Sequence, residues 1–276
     1  MTKILKYGFL VLKLILIIFT IYYLIKTIDL NFIKNSFFYY QVILIVILIR
    51  LIKVLVNTEK ILYLLKILGK KGKFKKIFNI LFLSQISTAL PASTIASKAW
   101  IDSSLIKTFG LNLNDYFKFN LIILILSTII FIFFYFTYTY LNTNLLIIEF
   151  IIFLFAIITC FKLEKFKNYF FCLSLFITNL LLNIFISFVI IYFIRPDLLD
   201  NNFLNIFLSS LISIYLNLIS ILPLNIGYSQ MVHGITFDYF SLPHGLAITI
   251  ATIKQICDVI IILITFIIYK NKFFSK

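Results

Sequence analysis

Long apolar runs, separated by short segments that carry most of the lysines, make up nearly all of the sequence. A helix that crosses about 30 Å of hydrocarbon needs about 20 predominantly apolar residues. Six runs are read as crossings on that scale: 8–25, 37–56, 117–139, 145–161, 169–194 and 247–268. The run 145–161 is the shortest and contains Glu149. The run 8–25 is long for a signal-peptide core, is followed by Lys26 and has no small-x-small cleavage site, so it is expected to remain as a span.

Two further stretches, 77–109 and 203–245, break the pattern. In the first, an apolar arm of fourteen residues, 77–90, stops at Pro91. As a helix it rises about 21 Å, too little to cross. The small and polar Ala92-Ser93-Thr94-Ile95-Ala96-Ser97-Lys98 follows, and then an amphipathic arm towards Phe109. The second stretch carries Ser209, Ser210, Ser213, Asn217 and Ser220, breaks at Pro223, and turns through Asn225-Ile226-Gly227-Tyr228-Ser229-Gln230. Its return arm holds His233, Asp238 and His244, too polar for a lipid-facing span. Both stretches predict re-entrant hairpins, because irregular backbone at membrane depth is tolerated only against protein or water.

Lysine placement sets the orientation. With the N-terminus in the cytoplasm and each hairpin returning to the side it entered, eighteen lysines fall inside, against Lys26, Lys34 and Arg195 outside. Seven of the eighteen lie between Lys60 and Lys76. The positive-inside rule therefore places both termini in the cytoplasm, and hairpins that crossed fully would leave that unchanged. The halves 8–139 and 145–268 each read span, span, hairpin, span. Three crossings per half is an odd number, so the second half is inverted, an architecture associated with transport. A short echo accompanies it, Ile86-Ser87-Thr88-Ala89-Leu90-Pro91 against Ile219-Ser220-Ile221-Leu222-Pro223. The predicted fold is an all-α polytopic membrane protein of about six transmembrane helices plus two Pro-broken hairpins, forming one membrane domain over 1–276.

Composition agrees with lipid as the main solvent: of 276 residues 62% are hydrophobic and 13% charged, with a mean hydropathy of +1.10. The net charge of +15 sits in loops between apolar runs, which is an orientation signal and argues against nucleic acid as a partner. The basic segment Lys60 to Lys76 is read as lying on the anionic inner leaflet. Cys160, Cys172 and Cys257 lack metal-ligand spacing and are read as small buried apolar residues.

Charges inside apolar spans are expensive and mark candidate sites. Arg50 and Lys53, three residues apart, share a helix face; they either snorkel to the headgroups or hold an anionic headgroup. Lys254 and Asp258, four apart, are placed to pair along the last span, as a structural pair or as a substrate contact, with Gln255 beside them. Lys98 and Asp102 form either an interfacial pair or a phosphate entrance. Trp100 is read as an interface anchor. His233, Asp238 and His244 share no helix face, so no metal is expected, and neither a cofactor nor a catalytic motif is legible.

The two breaks, Leu90-Pro91-Ala92-Ser93-Thr94-Ile95-Ala96-Ser97-Lys98 and Leu222-Pro223-Leu224-Asn225-Ile226-Gly227-Tyr228-Ser229-Gln230, carry a resemblance. In motif order and hydropathy the chain resembles the membrane domain of lysylphosphatidylglycerol synthase, the multiple peptide resistance factor, and the wider group of flippase-like membrane proteins. Ala96 and Ser97 stand where that family often has glycines, and Gln230 where a glutamate is common; an uncharged site would couple or select differently. The soluble aminoacyl-transferase domain is absent from a sequence that ends six residues after Lys270, so lipid handling is implied rather than lipid synthesis.

The resemblance implies a bacterial inner-membrane protein that binds or translocates an anionic phospholipid or a polyprenyl-linked sugar between leaflets. Opposed hairpins would line a polar cavity with Ser87, Thr88, Pro91, Ser93, Thr94, Asn217, Ser220, Pro223, Asn225, Gly227, Ser229 and Gln230. Lys98 and Lys254 would attract the phosphate, with Arg50, Lys53 and Asp258 nearby in function. Without an ATP motif, transport would be passive or ion-coupled. A membrane enzyme or accessory subunit in lipid-linked surface-polysaccharide assembly is the alternative, and a purely structural subunit the third. A second copy of the chain or a polysaccharide-assembly protein are the protein partners that fit.

Overall fold

A computed structural model describes residues 40–87, 93–140, 164–217 and 227–274. The expected spans 8–25 and 145–161 lie outside the described residues, as do Cys160 and both proline breaks, at 88–92 and 218–226. Among the described residues the chain is α-helical: α1 (Tyr40–Ile67), α2 (Phe74–Ser87), α3 (Ser93–Phe109), α4 (Leu113–Tyr140), α5 (Glu164–Ile194), α6 (Asp197–Asn217), α7 (Tyr228–Tyr239) and α8 (His244–Phe274). Three stretches are long and apolar enough to cross a membrane: Tyr40–Ile67, Lys167–Ile194 and His244–Tyr269. They make this a membrane protein.

The surface of these helices says what surrounds them. On α1, Leu44 and Leu48 are 62% and 60% exposed, while Val42, Val46 and Ile49 are buried on the opposite face. The last turns of α8 likewise bare Leu263, Ile267 and Ile268. Apolar stripes of that extent are a liability in water and the natural state in lipid.

Several boundaries differ from the apolar runs. α1 continues through the polar Thr58, Glu59 and Lys60 to Ile67, well past the expected end at 56. It stops where Gly69 takes a φ of +67° and Lys70 N–H bonds back to Leu65 O at 2.8 Å. Gly110, with φ of +59°, ends α3 in the same way. Residues with a Cβ are strained in that region. Gly69→Ala and Gly110→Ala are each expected to lower stability by about 1–2 kcal/mol, read as a fall in the thermal midpoint of the purified protein. α6 begins at Asp197, earlier than its arm was expected, because Pro196 suits a helix start and Asp197 and Asp200 suit the positive end of the dipole. A kink at Asn202 (φ −126°) interrupts its first turns.

The residues sort into two compact units. Of the described residues, one comprises 40–52, 82–87, 93–101, 182–217 and 227–274; the other comprises 53–81, 102–140 and 164–181. Each draws on both sequence halves, 8–139 and 145–268. In the first unit Val46, Ile190, Ile206, Phe237 and Ile250 bring α1, α5, α6, α7 and α8 into one apolar cluster. α6 and α7 run antiparallel, since Asn205 meets Phe240 O, Ser213 meets Thr236 and Tyr228 meets Leu216 O. α7 and α8 are antiparallel too, with Gln230 on Gln255 and His233 on Lys254.

In the second unit α1 and α5 pack through Tyr63 stacked on Phe171 at 5.0 Å and Asn179 Nδ2 donating to Asn57 Oδ1 at 3.1 Å. Asp102 belongs there as well. The expected Lys98–Asp102 pair gives way to a buried bond in which Tyr116 donates its hydroxyl to Asp102 at 2.7 Å, while Lys98 stays exposed. Burial, and then the neighbouring carboxylate, push the Tyr116 phenol well up, so it remains a donor.

Candidate functional site

The polar side chains of the first unit gather where α1, α5 and α7 face α8. α8 presents Lys254, Gln255 and Asp258 within little more than one turn, so three polar groups fan out from one short stretch. The sequence reading paired Lys254 with Asp258 along their own helix; the structure gives Asp258 to Arg50 instead. Arg50 Nη1 donates to Asp258 Oδ1, and Nη2 donates to Lys254 O at 3.1 Å. Arg50 thus turns inward onto α8 rather than reaching for headgroups, because a guanidinium has enough donors to hold a carboxylate and a carbonyl together.

Lys254 points to other partners. Its Nζ donates to Ser187 Oγ of α5 at 2.8 Å and lies 3.3 Å from His233 Nε2 of α7. The imidazole's other nitrogen settles its tautomer. Nδ1 lies 2.8 Å from Ser229 O, a carbonyl that can only accept, so Nδ1 carries the proton and Nε2 offers a lone pair to Lys254. His233 is 2% exposed, and its neutral form is the one that this arrangement requires.

Beside it, Gln230 and Gln255 exchange hydrogen bonds. Gln230 Nε2 donates to Gln255 Oε1 at 2.6 Å and Gln255 Nε2 donates to Gln230 Oε1 at 3.1 Å. Gln230 Oε1 also accepts Gly227 N–H at 2.8 Å, which fixes its amide orientation and ties down the entry to α7. Gly227 takes a φ of +77°, the left-handed conformation that glycine adopts without strain. Ser213 and Thr236 bond at 2.6 Å further along the α6–α7 seam.

Of the residues expected to form the site, Arg50, Gln230, Lys254 and Asp258 meet in this network, with Gly227 at its edge. Asn217 ends α6 and donates to Ser213 O at 2.8 Å. Lys53 is half-buried and falls in the second unit. Ser87 ends α2, and Ser93 and Thr94 begin α3. Thr88, Pro91, Ser220, Pro223 and Asn225 lie outside the described residues. Ser187 was missed, since one serine in an apolar run gives no signal. His233 was weighed only as a metal ligand, although a histidine in a return arm facing a lysine-bearing span was the available clue. His244 and Asp238, six residues apart, do meet, at 2.6 Å across the α7–α8 turn. Cys172 and Cys257 are buried free thiols.

No family model, no curated protein and no solved structure matches the chain.

Proposed function

We propose that the protein binds an anionic or lipid-linked substrate within the membrane and carries it between leaflets. The observation that supports this best is the partly buried network of Arg50, Asp258 and Lys254 around the buried His233, on helices otherwise suited to lipid. Ionisable groups at such depth are costly and mark substrate or ion pathways by default. Lys254 is the residue proposed to meet the phosphate, and Gln230 with Gly227 the neutral contact beside it.

The wider architecture belongs to the same proposal. Six crossings, two hairpins broken at Pro91 and Pro223, cytoplasmic termini and an inverted repeat would let the halves rock around a polar centre. The twelve residues of α7 rise about 18 Å, short for a crossing and suited to a hairpin arm. A flippase-like membrane protein of a bacterial inner membrane is the class this reading points to, with anionic phospholipid or a polyprenyl-linked sugar as cargo.

Vesicles reconstituted with fluorescent anionic lipid test it. Wild-type protein is expected to exchange the probe between leaflets, and Lys254→Ala to slow exchange about tenfold or more, the equivalent of one charge-assisted hydrogen bond. Exchange no faster than in protein-free vesicles would remove the translocase reading.

A further inference from the structure

The contact between Lys254 and His233 joins two groups that cannot both be charged at that distance. Nε2 of His233 accepts from Lys254 Nζ at 3.3 Å only while its lone pair is free. A proton added there would place imidazolium against ammonium. Among the described residues the contacts at this seam offer little relief. α6 presents the Ser213 hydroxyl to this seam through Thr236, and its carboxylates Asp197 and Asp200 stand at its opposite end. α5 presents Ser187. On α8 the carboxylate of Asp258 is held by Arg50 of α1, and on α7 Asp238 is paired with His244.

We propose that His233 is a proton-binding site whose occupation excludes the Lys254 contact, so that opening of the α7–α8 seam takes up one proton and closing it releases one. The step is a simple one: a proton from water adds to Nε2, the Nζ–H···Nε2 hydrogen bond breaks, and no other bond changes. In the closed arrangement burial and Lys254 together keep the proton off. An opened seam that admits water removes both restraints. This rests on the transport reading, for which it supplies the coupling ion: a substrate phosphate that draws Lys254 away frees Nε2, so cargo and proton would be taken up together.

The sequence contains only two histidines, which makes the site directly observable. Full-length protein labelled with ¹⁵N-histidine, compared with His244→Gln to remove the second signal, isolates the His233 resonances without substrate or transport. His233 is expected to be the neutral Nδ1–H tautomer, and Lys254→Met to raise its proton affinity about tenfold or more, since a like charge is removed at hydrogen-bond range. Lys254→Gln, which keeps a donor to Ser187 Oγ, provides the same comparison should the methionine variant not fold. A change of less than about twofold in both variants, or an Nε2–H tautomer in the wild type, would overturn the proposal. The spectra do not depend on lipid exchange, so their failure and that of the transport reading are separate results.

Discussion

Replacing Asp258 by alanine is expected to destabilise the protein by about 2–4 kcal/mol, the larger part of what breaking a buried ion pair takes. The side chains of Arg50 and Asp258 keep 18% and 30% of their surface, which trims the effect below that of a fully enclosed pair. The asymmetry comes from what is left behind. Arg50 Nε is already buried with no partner among the described residues, so without the carboxylate the guanidinium would keep only Lys254 O. Arg50→Met with Asp258→Leu removes both charges and is expected to recover most of the loss. Thermal midpoints of the two single variants and the double variant in one detergent make the comparison. A double variant no more stable than Asp258→Ala would show that the two residues are not coupled. On the proposed transport reading, lipid exchange should follow stability here only in part, because Arg50 also fixes the turn that carries Lys254.

That pair also shows where reading the sequence succeeds and where it stops. Apolar length alone located the helices of 37–56, 169–194 and 247–268, because lipid imposes a single simple requirement on a crossing segment. Pro91 and Pro223 pointed to breaks, and both positions lie outside the described residues. Arg50, Lys254 and Asp258 stood out because charge inside an apolar run has few explanations. Their partners did not. Lys254 and Asp258 are neighbours at helical spacing, yet each is better served from another helix, and tertiary packing of α1 and α5 on α8 is invisible to a one-dimensional pattern. Asp102 repeats the lesson, with Tyr116 from the next helix in place of Lys98. The extension of α1 to Ile67 escaped hydropathy because Thr58, Glu59 and Lys60 are polar but fully compatible with a helix that leaves the membrane.

Gln230 carries the second large expected effect. Replaced by leucine, it would leave Gly227 N–H and both ends of the Gln255 amide without their present partners in a buried seam. Each such loss costs about 1–3 kcal/mol, and because they share one side chain the total should be about 2–4 kcal/mol rather than their sum. Gln230→Leu with Gln255→Leu should be no worse than the single change, since the second amide is then no longer stranded. Gln230→Glu is expected to be the mildest of the three. A carboxylate still accepts from Gly227 N–H and from Gln255 Nε2, and the bonds lost are those donated to Gln255 Oε1 and, at 3.5 Å, to Thr252 Oγ1. It would also set a negative charge one helical turn before His233, favouring imidazolium there and weakening the hold on Lys254. Thermal midpoints in the order wild type, glutamate, leucine would agree with this seam as drawn. Glutamate falling below leucine would mean that the seam rejects charge at this position, and that the neutral Gln230 is required by the packing of α7 on α8 rather than by the proposed cargo.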